Sequence, residues 1–157
     1  MNKEAFAVLV LSSTDSLYRI SKSILRNDAD CEDAVQEAIA VGFDKLHTLK
    51  HEKYAKTWLT RILINECYNL LRKQKKFSTM YEETQGKEYA DNDYSDLYLA
   101  LSMLKKEYRL TIVLYYLEGY SMKEIAGIMR IKVGTVKSRL SRGRNELRRI
   151  LKHEPYT

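Results

Sequence analysis

The sequence predicts an all-α protein: two small helical domains, residues 1–77 and 97–157, joined by a flexible acidic linker over 78–96. Three observations carry this. Apolar residues recur at three- and four-residue steps, and period-two alternation is lacking. Helix breakers are scarce, with one Pro and six Gly in 157 residues. The middle breaks the pattern: residues 78–93 are polar, acidic and without aliphatic periodicity, as a linker would be.

The elements follow in order. The start, Met1-Asn2-Lys3-Glu4-Ala5-Phe6-Ala7-Val8-Leu9-Val10-Leu11, has a short apolar run that carries Glu4. No small-residue cleavage site follows it, so it predicts an amphipathic helix rather than a signal peptide. Four helices are expected in the first domain, at about 3–11, 14–26, 31–46 and 54–76. The third is expected to be capped by Asp30. Its apolar stripe is Val35, Ile39, Gly42, Phe43 and Leu46, and its opposite stripe is Asp33, Gln36, Glu37 and Asp44. Taken alone, an acidic face of this kind is usually just solvated. The fourth helix has Trp58, Leu59, Ile62, Leu63 and Leu70 for the core. It ends in Leu70-Leu71-Arg72-Lys73-Gln74-Lys75-Lys76. Those cations suit a helix C-terminus; with Lys53, Lys56 and Arg61 they equally suit a phosphate-facing surface.

The second domain carries the sharpest local signal. Residues 108–117 form a helix with Leu110, Val113, Leu114 and Leu117 on one side. Glu118-Gly119-Tyr120 is a turn, and Ser121-Met122-Lys123-Glu124 is a capping box. The short helix that follows buries Ile125, Ala126 and Met129. A second helix starts near Val133, and Ile131, Val136 and Leu140 close the core beneath the pair. This is a helix-turn-helix. Arg130 stands where the turn favours a left-handed glycine, and Lys132 stands where Ser or Asp would cap the second helix.

The outward positions of that second helix read Lys132, Thr135, Lys137, Ser138, Arg139, Ser141, Arg142 and Arg144. Arg can grip a guanine edge with two hydrogen bonds, and Thr can touch a thymine methyl. Lys, Ser and further Arg suit phosphate oxygens. Charge agrees. Residues 1–77 carry 13 Lys/Arg and 10 Asp/Glu, residues 78–96 carry 1 and 6, and residues 97–157 carry 13 and 5. The positive excess therefore sits where a polyanion would bind.

Composition excludes several classes. No apolar stretch reaches about 18 residues, so no membrane span is expected. Cys31 and Cys67 are far apart with no Cys or His cluster near either, so no zinc site is expected. They read as buried thiols of a protein in a reducing cytoplasm. His47, His51 and His153 are scattered. No nucleophile–base constellation, glycine-rich phosphate loop or carboxylate cluster supports an enzyme, a cofactor or a small-molecule substrate.

Tyr120-Ser121-Met122-Lys123-Glu124-Ile125-Ala126 and Gly134-Thr135-Val136-Lys137-Ser138-Arg139-Leu140-Ser141-Arg142-Gly143-Arg144 together resemble region four of bacterial sigma factors. The likeness is strongest to the extracytoplasmic-function group of the sigma-70 family. Asp30-Cys31-Glu32-Asp33-Ala34-Val35-Gln36-Glu37 resembles that group's polymerase-binding motif in region two. Trp58-Leu59-Thr60-Arg61-Ile62-Leu63-Ile64-Asn65, with Asn69 and Arg72, resembles its promoter-melting helix. The resemblance spans nearly the whole chain, in the family's order and spacing. Two positions depart from it. Ala40-Val41-Gly42-Phe43 lacks the large aromatic pair common after the polymerase motif, and Asn69 stands where Asp is common.

The resemblance implies a set of roles. Asp33, Gln36 and Glu37 would bind the clamp helices of the largest catalytic subunit of core RNA polymerase. The loop 47–53, with His51 and Lys53, would capture an unpaired base of the minus-ten element. Trp58, Arg61, Asn65, Asn69 and Arg72 would support strand opening beside it. The basic recognition helix would read the minus-thirty-five element. A cognate anti-sigma factor, often membrane-bound, is implied as a further partner. The competing function is a free-standing operator-binding regulator using the same helix-turn-helix, which would have no need of the region-two half.

Overall fold

The computed structural model describes residues 1–78 and 95–152. The chain divides into two compact units on either side of the undescribed stretch. The predicted linker 78–96 lies outside the described residues over 79–94; Ser78 closes one helix and Ser95 opens the next. No strand occurs among the described residues.

The first unit is three mutually packed helices: α1 (Lys3–Leu25), α2 (Asp28–Asp44) and α3 (Ala55–Ser78). Two of the four expected helices are one. The polar run at 12–14 does not break α1, because its hydroxyls bond back within the helix. Ser12 Oγ donates to the Leu9 carbonyl and Thr14 Oγ1 to that of Val10, each at 2.9 Å. Such back-bonding lets Ser and Thr sit inside a helix.

The chain reverses at Arg26, whose φ of 68° is left-handed. The cap of α2 is Asn27, not Asp30: the Asp30 N–H donates to Asn27 Oδ1 at 3.2 Å. Asp30 falls in the first turn and accepts from Gln74 Nε2 at 2.7 Å, tying the start of α2 to the end of α3.

Phe6 is fully buried and sets the core. Phe43 and Trp58 pack on it edge-on, at centroid distances of 4.8 and 6.0 Å. Gly42 is required here, since a Cβ on it would lie 2.7 Å from Phe6 Cζ. The absence of an aromatic pair in 40–43 therefore goes with a large side chain arriving from α1. The inward row of α2 is Cys31, Ala34, Val35, Ala38 and Gly42, while Ile39 and Phe43 are half-buried. Two 3₁₀ turns, Leu46–Thr48 and Glu52–Tyr54, lead into α3.

The second unit begins with α4 (Ser95–Ser102) and α5 (Lys106–Ile112). The Arg109 side chain caps α4: Nε donates to the Leu101 carbonyl at 2.9 Å and Nη2 to that of Leu104 at 2.8 Å. Past α5 the helix widens to π geometry over Val113–Leu117, with the Glu118 N–H donating to the Val113 carbonyl. Gly119, at φ +76°, stops it. Leu117, expected on the buried side, is 38% exposed because the wider turn rotates it outward.

Helices α6 (Met122–Met129) and α7 (Val133–Leu151) form the helix-turn-helix. Both halves of the capping box are present at 3.0 Å, Glu124 N–H to Ser121 Oγ and Ser121 N–H to Glu124 Oε1. The buried residues of α6 are Ile125, Ala126 and Ile128; Met129, expected in the core, is half-buried. Val136, Leu140 and Gly143 form the inward row of α7. A Cβ on Gly143 would lie 2.7 Å from Ile112 Cδ1, so glycine allows α7 to close on α5.

Candidate nucleic-acid interface

The turn between α6 and α7 has the expected geometry. Arg130 is left-handed at φ 56°, ψ 49°, and Lys132 occupies the cap position of α7 without a side-chain cap bond. The backbone holds the turn: the N–H groups of Arg130 and Ile131 both donate to the Ala126 carbonyl.

With its inward row buried, α7 presents Lys132, Val133, Gly134, Lys137, Ser138, Ser141, Arg142 and Asn145 to solvent. Thr135 and Arg139 lie on the flank and are half-buried. Arg144 is exposed, and its Nη1 donates to the Tyr116 hydroxyl at 2.8 Å. Of the eight residues expected to face DNA, five (Lys132, Lys137, Ser138, Ser141 and Arg142) thus share the open face with no described partner outside the helix. Val133 and Asn145 lie on that face too. Helical spacing from Lys137 and Ser141 reaches both, but neither belongs to the basic or hydroxyl classes that guided the reading.

In the first unit, Glu32, Asp33, Gln36, Glu37 and Asp44 are exposed on the outer side of α2. Gln36 Nε2 approaches Glu32 Oε1 at 3.5 Å, a weak contact. Asp33 and Glu37 form no ion pair among the described residues, so their negative field faces solvent.

The expected melting residues Trp58, Arg61, Asn65, Asn69 and Arg72 follow i, i+3, i+4 spacing along one side of α3. Asn65, Asn69 and Arg72 are exposed, and Trp58 and Arg61 are half-buried. Arg72 Nη2 donates to Asn69 Oδ1. An amide at position 69 thus orients the guanidinium without adding a negative charge. Beside them, His51 and Lys53 are exposed in the turn before α3. Both meet Tyr54, a residue the sequence reading did not single out. It is 52% exposed, with the His51 ring edge-on at 6.0 Å and Lys53 Nζ 5.0 Å from its centroid. An exposed ring with a second ring at its edge and a lysine over it is what base stacking uses.

The two thiols are buried as expected. Burial pushes the Cys31 thiol up, and pushes Cys67 from 9.0 to about 12. No group of three or more metal-ligating side chains occurs among the described residues. No helix among them is long and apolar enough to cross a membrane.

Fold and site define a two-unit protein, helical throughout its described residues, whose first unit has an acidic and a basic face and whose second unit carries a basic helix-turn-helix. The model of sigma-70 region 2 matches residues 9–77, and that of sigma-70 region 4 matches residues 94–147. The chain is 36% identical over 144 residues to the RNA polymerase sigma factor SigV of Bacillus subtilis, covering 87% of this chain and 86% of that one. It is 31% identical over 170 residues to the ECF RNA polymerase sigma factor SigW of the same organism, covering 96% and 91%. Among solved structures, the sigma factor RpoE in complex with the anti-sigma factor NepR, from Bartonella quintana, superposes with a TM-score of 0.83. It shares 28% identity, over 97% of this chain and 99% of that one. CnrH, solved with the cytosolic domain of CnrY, shares the fold at a TM-score of 0.78 and 23% identity, over 98% and 92%.

The chain belongs to the sigma-70 family, within its extracytoplasmic-function group of RNA polymerase sigma factors. It is accordingly a promoter-directing transcription initiation factor, neither an enzyme nor a free-standing operator-binding regulator.

Proposed function

We propose that this chain joins core RNA polymerase through the outer face of α2 and brings it to promoters with two grips. The observation that carries this is the exposed row Asp33, Gln36 and Glu37, free of internal ion pairs, on a helix within the region-two match. A surface helix otherwise gains from balancing its charges, so an unbalanced row fits a cationic partner. Clamp helices of the largest catalytic subunit would supply it.

The first grip is the minus-ten element. His51, Lys53 and Tyr54 would hold an unpaired base, and Trp58, Arg61, Asn65, Asn69 and Arg72 would track the opened strand. The second grip is the minus-thirty-five element, read in the major groove from the N-terminal half of α7. There Lys132, Lys137, Ser138, Ser141 and Arg142 divide phosphate anchoring from base contact. Thr135 and Arg139 would reach bases from the flank, and Arg144 would hold a phosphate once released from Tyr116. Residues 1–77 and 97–157 would act as separate modules, with 78–96 spanning polymerase between them.

The solved RpoE of Bartonella quintana was captured with the anti-sigma factor NepR. A partner of that class, covering the faces that polymerase and DNA use, would keep this chain idle in the cytoplasm. The test is charge reversal. Asp33→Lys with Glu37→Lys should abolish co-purification with core polymerase while the circular dichroism spectrum and melting temperature hold. Unchanged core affinity would mean that the face is merely solvated.

A further inference from the structure

We infer that Val133 is a base-reading residue, which recognises a thymine of the minus-thirty-five element through its C5 methyl. This rests on the reading of α7 as the minus-thirty-five grip.

Val133 is the first residue of α7 and is 46% exposed. It is an aliphatic side chain on a face otherwise rich in cations and hydroxyls: Lys132, Lys137, Ser138 and Ser141 are exposed along it. A single exposed apolar residue needs no explanation in general. Its position here does. Residues at the N-terminal end of a recognition helix are those that reach base edges. The inward face of α7 is already filled by Val136, Leu140 and Gly143, so Val133 adds nothing to that row. Gly134 beside it has nothing within 4 Å of where a Cβ would stand. The space beside the helix entry is therefore open, and about half of the Val133 surface faces it.

Among groove-edge groups, the thymine methyl is the apolar one, and apolar side chains read it. The polar residues nearby have other chemistry to satisfy. Lys132 and Lys137 suit phosphates, and Ser138 and Ser141 accept or donate hydrogen bonds without favouring one base. Val133 therefore supplies what the others lack, a preference for thymine over cytosine at one position.

The test uses the full chain assembled with core polymerase, on promoter fragments recovered by selection. Each thymine of the minus-thirty-five element is replaced in turn by deoxyuridine, which removes the C5 methyl alone. At one position the wild-type complex should bind about fourfold more weakly, the worth of one methyl group taken out of water. Val133→Ala, which leaves an exposed helix position well filled, should bind the thymine and deoxyuridine fragments equally at that position. It should keep its response to minus-ten substitutions. The inference is overturned if no deoxyuridine weakens the wild type, if Val133→Ala keeps the same sensitivity, or if the selected element contains no thymine on either strand. Failure of the underlying reading looks different: binding would then ignore every change in the minus-thirty-five element, base identity included.

Discussion

Replacing Arg130 with glycine should stabilise the second unit. Arg130 sits at φ 56°, ψ 49°, where a Cβ crowds the following carbonyl. That conformation costs an L-residue about 1–2 kcal/mol. Glycine removes the cost but gives the unfolded chain more freedom, a loss of about 0.4–1 kcal/mol. The net gain is roughly 0.5–1 kcal/mol. In a unit of about 60 residues each kcal/mol moves the melting temperature by about 4–8 °C, so a rise of roughly 2–8 °C is expected. The turn itself should survive, since its hydrogen bonds come from the backbone N–H groups of residues 130 and 131. The assay is thermal melting of the full chain by far-ultraviolet circular dichroism, with fluorescence of the single tryptophan alongside. Trp58 belongs to the first unit, so a transition absent from its signal is that of the second. An unchanged or lower melting temperature would refute the reasoning, because the Arg130 side chain would then contribute more than its backbone costs. Gly119→Ala is the opposite control: φ there is +76°, and the melting temperature should fall.

Other perturbations have equally definite outcomes. Ser121→Ala removes the capping box and should cost about 1 kcal/mol, read as a drop of roughly 4–8 °C in the same melt; no drop would deny the cap a structural role. Gly42→Val drives methyl groups into the Phe6 ring and should cost about 1–3 kcal/mol, visible in Trp58 fluorescence; an unmoved transition would contradict the packing described. Cys67 ionises near 12 in the fold against 9.0 ordinarily. The folded state thus holds its proton where the unfolded state has lost it. The stability this contributes is complete below about pH 9 and is lost as pH rises towards 12. A denaturant midpoint that falls over that range in wild type, and falls less in Cys67→Ala, is the expected result; equal slopes would place the effect elsewhere.

Much of the second unit was legible because its signals are local. A capping box needs four residues, and Val136 and Leu140 lie one turn apart, so the helix-turn-helix emerges from short-range spacing. The choice of Met129 over Ile128 failed for a non-local reason: both neighbour Ile125 on the helix, and docking decides which turns inward. The first unit was harder. A Ser-Ser-Thr run predicts a break unless its hydroxyls bond backward, which they do in α1. The reversal at Arg26 adopts a left-handed backbone with no glycine to announce it. Asn27 and Asp30 are equally good caps by chemistry, and the direction of chain entry selects Asn27. At the site, helical spacing located the open face of α7, but it could not show that Arg144 bonds to Tyr116, 28 residues earlier. Val133 and Tyr54 equally suit a core by their apolar and aromatic surfaces, and become informative only because the fold leaves them exposed.

The most direct test of a promoter-directing polymerase subunit is transcription in vitro by core RNA polymerase, with and without this chain, on a library of candidate promoters. Transcripts that require the chain, arising from templates that share a minus-ten and a minus-thirty-five element, are the predicted result. Tight sequence-specific duplex binding by the isolated chain, with no polymerase-dependent transcript from any template, would contradict it.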